Sequence, residues 1–390
     1  SHFTLKASYS LTADRGPADV TNSQAIITSY SPYRPFTSIQ ESGLYIKELE
    51  NSELTYEKKH ELNIGADMGF LNNRINLAVD WYKRNNYDLI GIVNTQGAGG
   101  QILKYANIAS MKSHGIEFTL STKNIKTKDF NWNTDFIFSN AKNEVTDLKQ
   151  NANVMELISG NGFAKQGYPV RGLFSIPFVG LDKDGIPVII NEKGEATSTD
   201  INFQERQNTG FLKYEGPTDP TITGSLGNMF SYKGFRLNLF ITYSFGNVIR
   251  LNPVFKAYYS DLTAMTREFK NRWTLPGDEA KTNVPAILSK RMYDSNEDLK
   301  YAYNAYNYST ERIAKGDFIR LKEISLAYDF PKAWINPLKL TDLSLKVQAT
   351  NLFLIYADDK LNGQDPEFFN AGGVASPVPR QFTITLRLGL

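Results

Sequence analysis

The chain has 390 residues, and 43 Lys and Arg against 41 Asp and Glu leave a formal charge of +2, too small to point to nucleic acid or an acidic surface as partner. It contains no cysteine, which excludes a disulfide framework, a thiolate metal site and a Cys nucleophile. No apolar run approaches the roughly 20 residues of a transmembrane helix, which excludes a helical membrane protein but not a membrane barrel, whose strands carry only a weak alternating signal. In chain order, His2 to Leu11 alternates, with Phe3, Leu5, Ala7, Tyr9 and Leu11 on one face and Thr4, Lys6, Ser8 and Ser10 on the other. Polar sequence follows, punctuated at Arg15-Gly16-Pro17 and Ser31 to Pro35. A strand from about Lys58 to Phe70 turns at Asn72-Asn73 into Ile75, Leu77, Val79 and Trp81. After a loop with Gly97-Ala98-Gly99-Gly100, a third pair runs from near His114 to Leu120 and, beyond a turn at Asn124 to Asp129, from Phe130 to Phe138.

A long irregular segment, about Lys142 to Pro220, separates this pair from a hairpin, Ile222 to Tyr232 and Phe235 to Phe245, turning on Lys233-Gly234. A second long segment ends at Gly316. Strands Phe318 to Phe330, Leu343 to Ala349 and Phe382 to Leu390 complete the chain, joined by a short link from Pro331 to about Leu340 and by a loop with Gly363 and Pro366. The ten strands are joined alternately by long and short connections, the long ones far above ordinary loop lengths. A β-sandwich or soluble barrel also predicts alternating strands, but not this alternation of loops. An outer-membrane barrel does, with short turns on the periplasmic side and long loops outside. Aromatics gather beside the short turns (Phe70, Phe130, Trp132, Phe230, Tyr232, Phe235, Tyr328, Phe330), where an interfacial girdle belongs.

Several stretches resemble SusC-like TonB-dependent transporters of Gram-negative outer membranes. These are Asn107 to Phe118, Gly224 to Phe235, Arg272-Trp273-Thr274 with Pro276, Gly316 to Lys322, Tyr328 to Pro331, Gly363 to Glu367, and Pro379-Arg380. The resemblance implies an all-β fold: the C-terminal half of a large antiparallel up-and-down transmembrane barrel, 22 strands in the full protein, with long extracellular loops. Residues 1–390 then form part of one barrel domain, whose plug and N-terminal strands are absent. Family members usually end in an aromatic residue, and this chain ends in Leu390. With no signal peptide after Ser1-His2, the chain reads as a fragment.

The implied function is TonB-dependent import of a nutrient, foremost an oligosaccharide and alternatively an oligopeptide, with a SusD-like lipoprotein as lid and TonB acting through the missing N-terminal region. A passive porin or adhesin on the same barrel and a soluble carbohydrate-binding module are the competing readings. No enzyme chemistry is expected. His2, His60 and His114 are scattered, Asp182-Lys183-Asp184-Gly185 lacks the later ligands of a calcium loop and reads as a turn, and no cofactor or metal is implied. Tyr301, Tyr303, Tyr306 and Tyr308 are candidate cargo contacts in an extracellular loop, because tyrosine offers a stacking ring and a polar tip, though packing between loops would use the same residues. Asp80, Tyr82, Asp135, Asn238 and Thr242 are expected to line the lumen.

Overall fold

The computed structural model describes all residues except 17–23, 33–41, 49, 95–96, 98–102, 160–163, 202–207, 255–264 and 370–376. Ten strands form one antiparallel sheet in chain order. They are β1 (His2–Asp14), β2 (Glu57–Phe70), β3 (Ile75–Asn94), β4 (Leu103–Lys126), β5 (Phe130–Leu148), β6 (Ile222–Tyr232), β7 (Phe235–Phe245), β8 (Phe318–Asp329), β9 (Asp342–Ala357) and β10 (Gln381–Gly389). Every strand read from the alternation is present. Directly opposed residues share a face, so the register carries each alternation across the sheet. One row runs Ile384, Val347, Leu326, Leu237, Phe230, Trp132 and Ile125. The adjacent row, on the other face, runs Thr383, Gln348, Ser325, Asn238, Met229, Asn133 and Lys123. The sheet therefore has an apolar face and a largely polar one.

The connections differ from expectation in one place. β3 and β4 continue well past Trp81 and start well before His114, leaving only residues 95–102 between them. The pairing crosses an irregularity between Asn86 and Leu89, where Asp88 has φ +58°. A bulge shifts the phase of the alternation there and hides the rest of both strands. Of the expected Gly97–Gly100 loop only Gly97 is described, and Pro17 and residues 33–35 of the expected turns also lie outside the described residues. The tight turns are as read: Leu71, Asn72 and Asn73 all have positive φ, and Lys233 and Gly234 have φ +44° and +89°. The longest of the short links, Pro331 onward, holds a helical turn at Lys332–Ile335.

Near the short turns the apolar face carries a row of rings, Phe130, Tyr232, Phe235 and Tyr328, in cross-strand register. The Phe235 and Tyr328 centroids are 4.3 Å apart, and Trp132 stacks on Phe230 at 5.6 Å. Farther along, Gly224 leaves room for the Tyr243 ring, whose hydroxyl donates to the Ile137 carbonyl at 2.9 Å. The same face holds a small polar network. The Trp132 indole N–H and the Thr134 hydroxyl both donate to Asn228 Oδ1, and Asn124 donates to Thr134. Its members satisfy one another, as groups bordering hydrocarbon require.

Large apolar side chains on this face are exposed, among them Val347 and, more openly, Phe382 and Ile384 at 73% and 74%. A soluble sheet turns such a row inward; here, among the described residues, the row has no covering layer, as in a face turned to lipid. We expect Val347→Lys, at mid-strand on the apolar face, to destabilise the folded barrel of the complete protein by about 2–4 kcal/mol. Gln348→Lys, on the polar face, should be nearly neutral. The heat-modifiable gel shift of outer-membrane extracts measures both, and equal yields for the two variants would refute the assignment of faces.

Candidate functional site

At one end of the sheet, connections 149–221 and 246–317 fold together into a cap. The first begins with a one-turn helix, α1 (Val154–Ile158), closed by a reciprocal capping box between Asn153 and Glu156. It continues through a strand pair, Gly172–Ser175 with Lys213–Pro217, and a three-stranded sheet of Phe178–Leu181, Pro187–Ile190 and Ala196–Thr197. The second supplies Val248–Arg250 paired with Ile313–Lys315 and a longer helix, α2 (Glu297–Asn307). One apolar core draws on both: Val154, Ile158, Ile176, Ile189 and Ile201 meet Ala302 and Ala305. A backbone bridge joins them as well, with Ile176 N–H donating to Tyr308 and Thr310 N–H donating to Ile176. The segments expected to be irregular are therefore a small packed unit.

This corrects the reading of the tyrosine run. Tyr303 and Tyr306 are 2% and 0% exposed, so neither offers a ring to cargo. Tyr306 packs edge-on against Phe178, and the Tyr303 hydroxyl donates to the Ala286 carbonyl at 2.8 Å. Tyr301 and Tyr308 are half-buried against the same core. Leu299, Ala302, Tyr303 and Tyr306 fall at i, i+3, i+4 and i+7, the spacing of a buried helical stripe.

Three arginines, unremarkable in the sequence apart from Arg320 within a family-like stretch, fasten the cap. Arg250 donates to the Phe174 carbonyl at 2.5 Å and to Ser175 Oγ at 3.1 Å, tying the second connection to the first. Burial pushes its pKa down to about 10, against the opposing charge of Glu215, so the guanidinium stays protonated at neutral pH. Arg312, 1% exposed, pairs with Glu268 at 2.6 Å and donates to the Asn252 carbonyl. Arg320, on β8, reaches both Asp365 oxygens, at 2.5 and 2.7 Å, and Glu367 at 3.2 Å in the last long connection. The Asp182–Gly185 segment is a turn: Asp182 accepts from the N–H groups of Asp184 and Ile186, and Trp273 packs over Gly185.

The five residues expected along the lumen share the polar face. Asp80 stands beside Gly65 and Tyr82 lies over Gly115. Asp135 accepts from Ser121 Oγ at 2.6 Å, Asn238 donates to Glu323 at 3.4 Å, and Thr242 opposes Ser225 and Arg320. The structure thus gathers them on one surface without joining them into a single constellation. Where this face meets the cap lies a cavity of about 250 Å³ walled by Pro169, Pro217, Pro220 and Tyr214, with the Arg171–Asp219 ion pair among its lining residues. Tyr214 is held by Tyr168 and Phe174 at centroid distances of 4.9 and 5.3 Å. Burial, helped by Tyr168, pushes its phenol pKa up, so it is a neutral hydrogen-bonding ring. The arrangement suits binding and orientation. Among the described residues no group of three or more His, Asp or Glu side chains is placed to hold a metal ion.

Removing one partner of a buried ion pair strands the other. Arg312→Ala should destabilise the cap by about 3–5 kcal/mol. Hydrogen exchange in the complete protein should then rise across α2 and the Gly172–Ser175 strand together, while β3 to β5 stay protected. Tyr306→Ala, which empties a core position, should produce the same joint loss, at a cost of about 3–5 kcal/mol. An increase confined to one connection in either variant would contradict a shared core.

No family model matches the chain. Among curated proteins it is 25% identical to TonB-dependent receptor P3 of Formosa agariphila, over 87% of this chain and 34% of that receptor. It is 26% identical to TonB-dependent receptor SusC of Bacteroides thetaiotaomicron, over 87% of this chain and 32% of SusC. The chain thus spans about a third of the length of these two relatives. In fold it is similar to the RagAB peptide importer in its open-open state, with a TM-score of 0.76 and 24% identity over 100% of this chain and 40% of the other. In sequence the chain is thus similar to TonB-dependent receptors, SusC among them, and its antiparallel sheet has the fold of a portion of such a receptor's β-barrel.

Proposed function

We propose that this chain is part of the barrel of an outer-membrane importer, powered through TonB, that takes up an oligosaccharide. The observation carrying the proposal is the pairing of an uncovered apolar sheet face with a folded cap at the end bearing the long connections. The apolar face contacts lipid, the polar face lines the lumen, and the cap stands at the extracellular mouth. Residues 1–390 constitute one part of a single barrel domain. β1 and β10 are the open edges of the sheet, and unpaired backbone groups are not tolerated in hydrocarbon, so strands outside this chain pair with them. The remaining barrel strands, a plug and a TonB-contacting segment belong to the rest of the protein, and a SusD-like lipoprotein closes the mouth as a lid. Asp80, Tyr82, Asp135, Asn238 and Thr242 face the cargo path, where polar groups keep the passage solvated. The work is conformational, and no covalent step is assigned to these residues.

Support for import comes from the relatives' names as TonB-dependent receptors. An oligopeptide is the second reading of the cargo, favoured by the fold likeness to a peptide importer. The complete gene should restore growth of a deletion strain on its glycan, and removal of the TonB-contacting segment should reduce uptake of the labelled glycan to background. Uptake that survives this deletion would instead indicate a passive pore, and uptake of labelled peptides alone would establish the second reading.

A further inference from the structure

Between the end of β5 and α1 lies a second cavity, of about 310 Å³, lined by Leu148, Gln150, Asn151, Ala152, Leu157, Lys165, Gln166 and Thr209. Its lining is graded. Ala152 and Leu157 are buried, whereas Asn151 and Gln166 are exposed. One cation belongs to it. Lys165 Nζ lies 5.1 Å from the centroid of Phe174 and 5.6 Å from that of Tyr168, and it donates to Thr209 Oγ1 at 3.3 Å. Several other cations of the cap face carboxylates: Arg312 has Glu268, Lys193 has Asp200 and Lys213 has Glu215. Lys165 has none among the described residues. Its pKa is pushed down by burial alone, the direction expected where no anion offsets the loss of water. A partly desolvated ammonium held against two rings and beside a cavity has room for an anion supplied from outside.

The neighbouring groups narrow the chemistry. Gln150, Asn151, Gln166 and Thr209 supply amide and hydroxyl groups that can both donate and accept, which suits vicinal hydroxyls. The volume is at the lower end for ligand cavities and admits a single sugar residue, not a chain. An extended peptide finds no ladder here, because the segment carrying Lys165 is already paired with β5: Val145 N–H donates to Tyr168, and Gly167 N–H donates to Val145. We propose that this cavity is a subsite for a uronic acid residue of the cargo glycan, with the Lys165 ammonium taking the carboxylate and the amides of Gln150, Asn151 and Gln166 taking ring hydroxyls. The inference rests on the import reading and deepens it, from an oligosaccharide to an acidic one.

The test uses the complete receptor in detergent and three probes: a trimeric oligogalacturonate, neutral maltotriose and triglutamate. Titration calorimetry should show the oligogalacturonate binding, with Lys165→Met weakening it about tenfold, the loss of one charge-assisted contact. Lys165→Arg should retain most of the affinity, and high salt should shrink the difference between wild type and Lys165→Met. In the unmodified receptor, acylation of Lys165 should slow when the oligogalacturonate is added and remain unchanged with maltotriose, a readout that needs no variant to fold. The inference is overturned by oligogalacturonate affinity indifferent to Lys165→Met, by no binding at millimolar concentration, by tighter binding of triglutamate, or by labelling indifferent to the uronate. TonB-dependent uptake of a neutral glycan alongside any of these results would leave the import reading standing and remove only the acidic subsite.

Discussion

Three guanidinium groups decide whether the long connections are loops or structure. Arg250, Arg312 and Arg320 are buried or nearly so, and each bonds a chain segment remote in sequence. A buried ion pair is nearly neutral for stability against a well-packed apolar alternative, because desolvation consumes most of the Coulombic gain. Its larger effect is on specificity. A cap folded in any other register leaves a charged group stranded, so few alternatives survive. Arg320 extends this control into the barrel itself, since the strand whose outer residues face hydrocarbon also holds Asp365 and Glu367 in place. Geometry in the last long connection is thereby referred to the sheet.

The sheet itself follows from one periodicity read twice. Along a strand, alternate residues meet lipid and water; across strands, register keeps the two sets apart. Departures from the period are placed where the polar face or the cap needs them. The irregularity near Asp88 lets Asn107 donate to the Asp88 and Thr55 carbonyls and accept from Thr55 N–H, fastening the start of β2 to β4. The irregularity between Phe240 and Ile241 adjusts β7 against β8 close to Arg320.

The ten strands were legible because alternation is local and needs no partner to be seen. The far halves of β3 and β4 were not, since Asn85-Asn86-Tyr87-Asp88 breaks the phase, and a polar run reads as loop when the bulge beneath it is unknown. The cap is not legible in the sequence for a different reason. Its strands are two to five residues long, and its core joins Val154 to Ala302 across about 150 residues of chain, so no window contains the signal. The tyrosine run carries two signals. Its composition suggests an exposed recognition loop, but the spacing of Leu299, Ala302, Tyr303 and Tyr306 is that of a buried helical face. The family-like stretches, which looked independent along the chain, meet in space. Arg320 and Asp365 lie in two of them and form one ion pair, while Trp273, from a third, covers the Gly185 turn.

The shared core of the cap also bears on how this part of the chain can be exchanged between relatives. A loop that folds alone can be lengthened, exchanged or randomised as a cassette. Here a donor segment replacing residues 149–221 would meet an Ala302 and Ala305 surface matched to another partner, and would have to offer Arg250 a carbonyl in place of that of Phe174. Recombination between relatives would therefore yield functional hybrids chiefly when both connections travel together, with β6 and β7 carried between them. In this architecture the heritable unit of the cap is a contiguous block of chain from the end of β5 to the start of β8, and no single loop within it is an independent module.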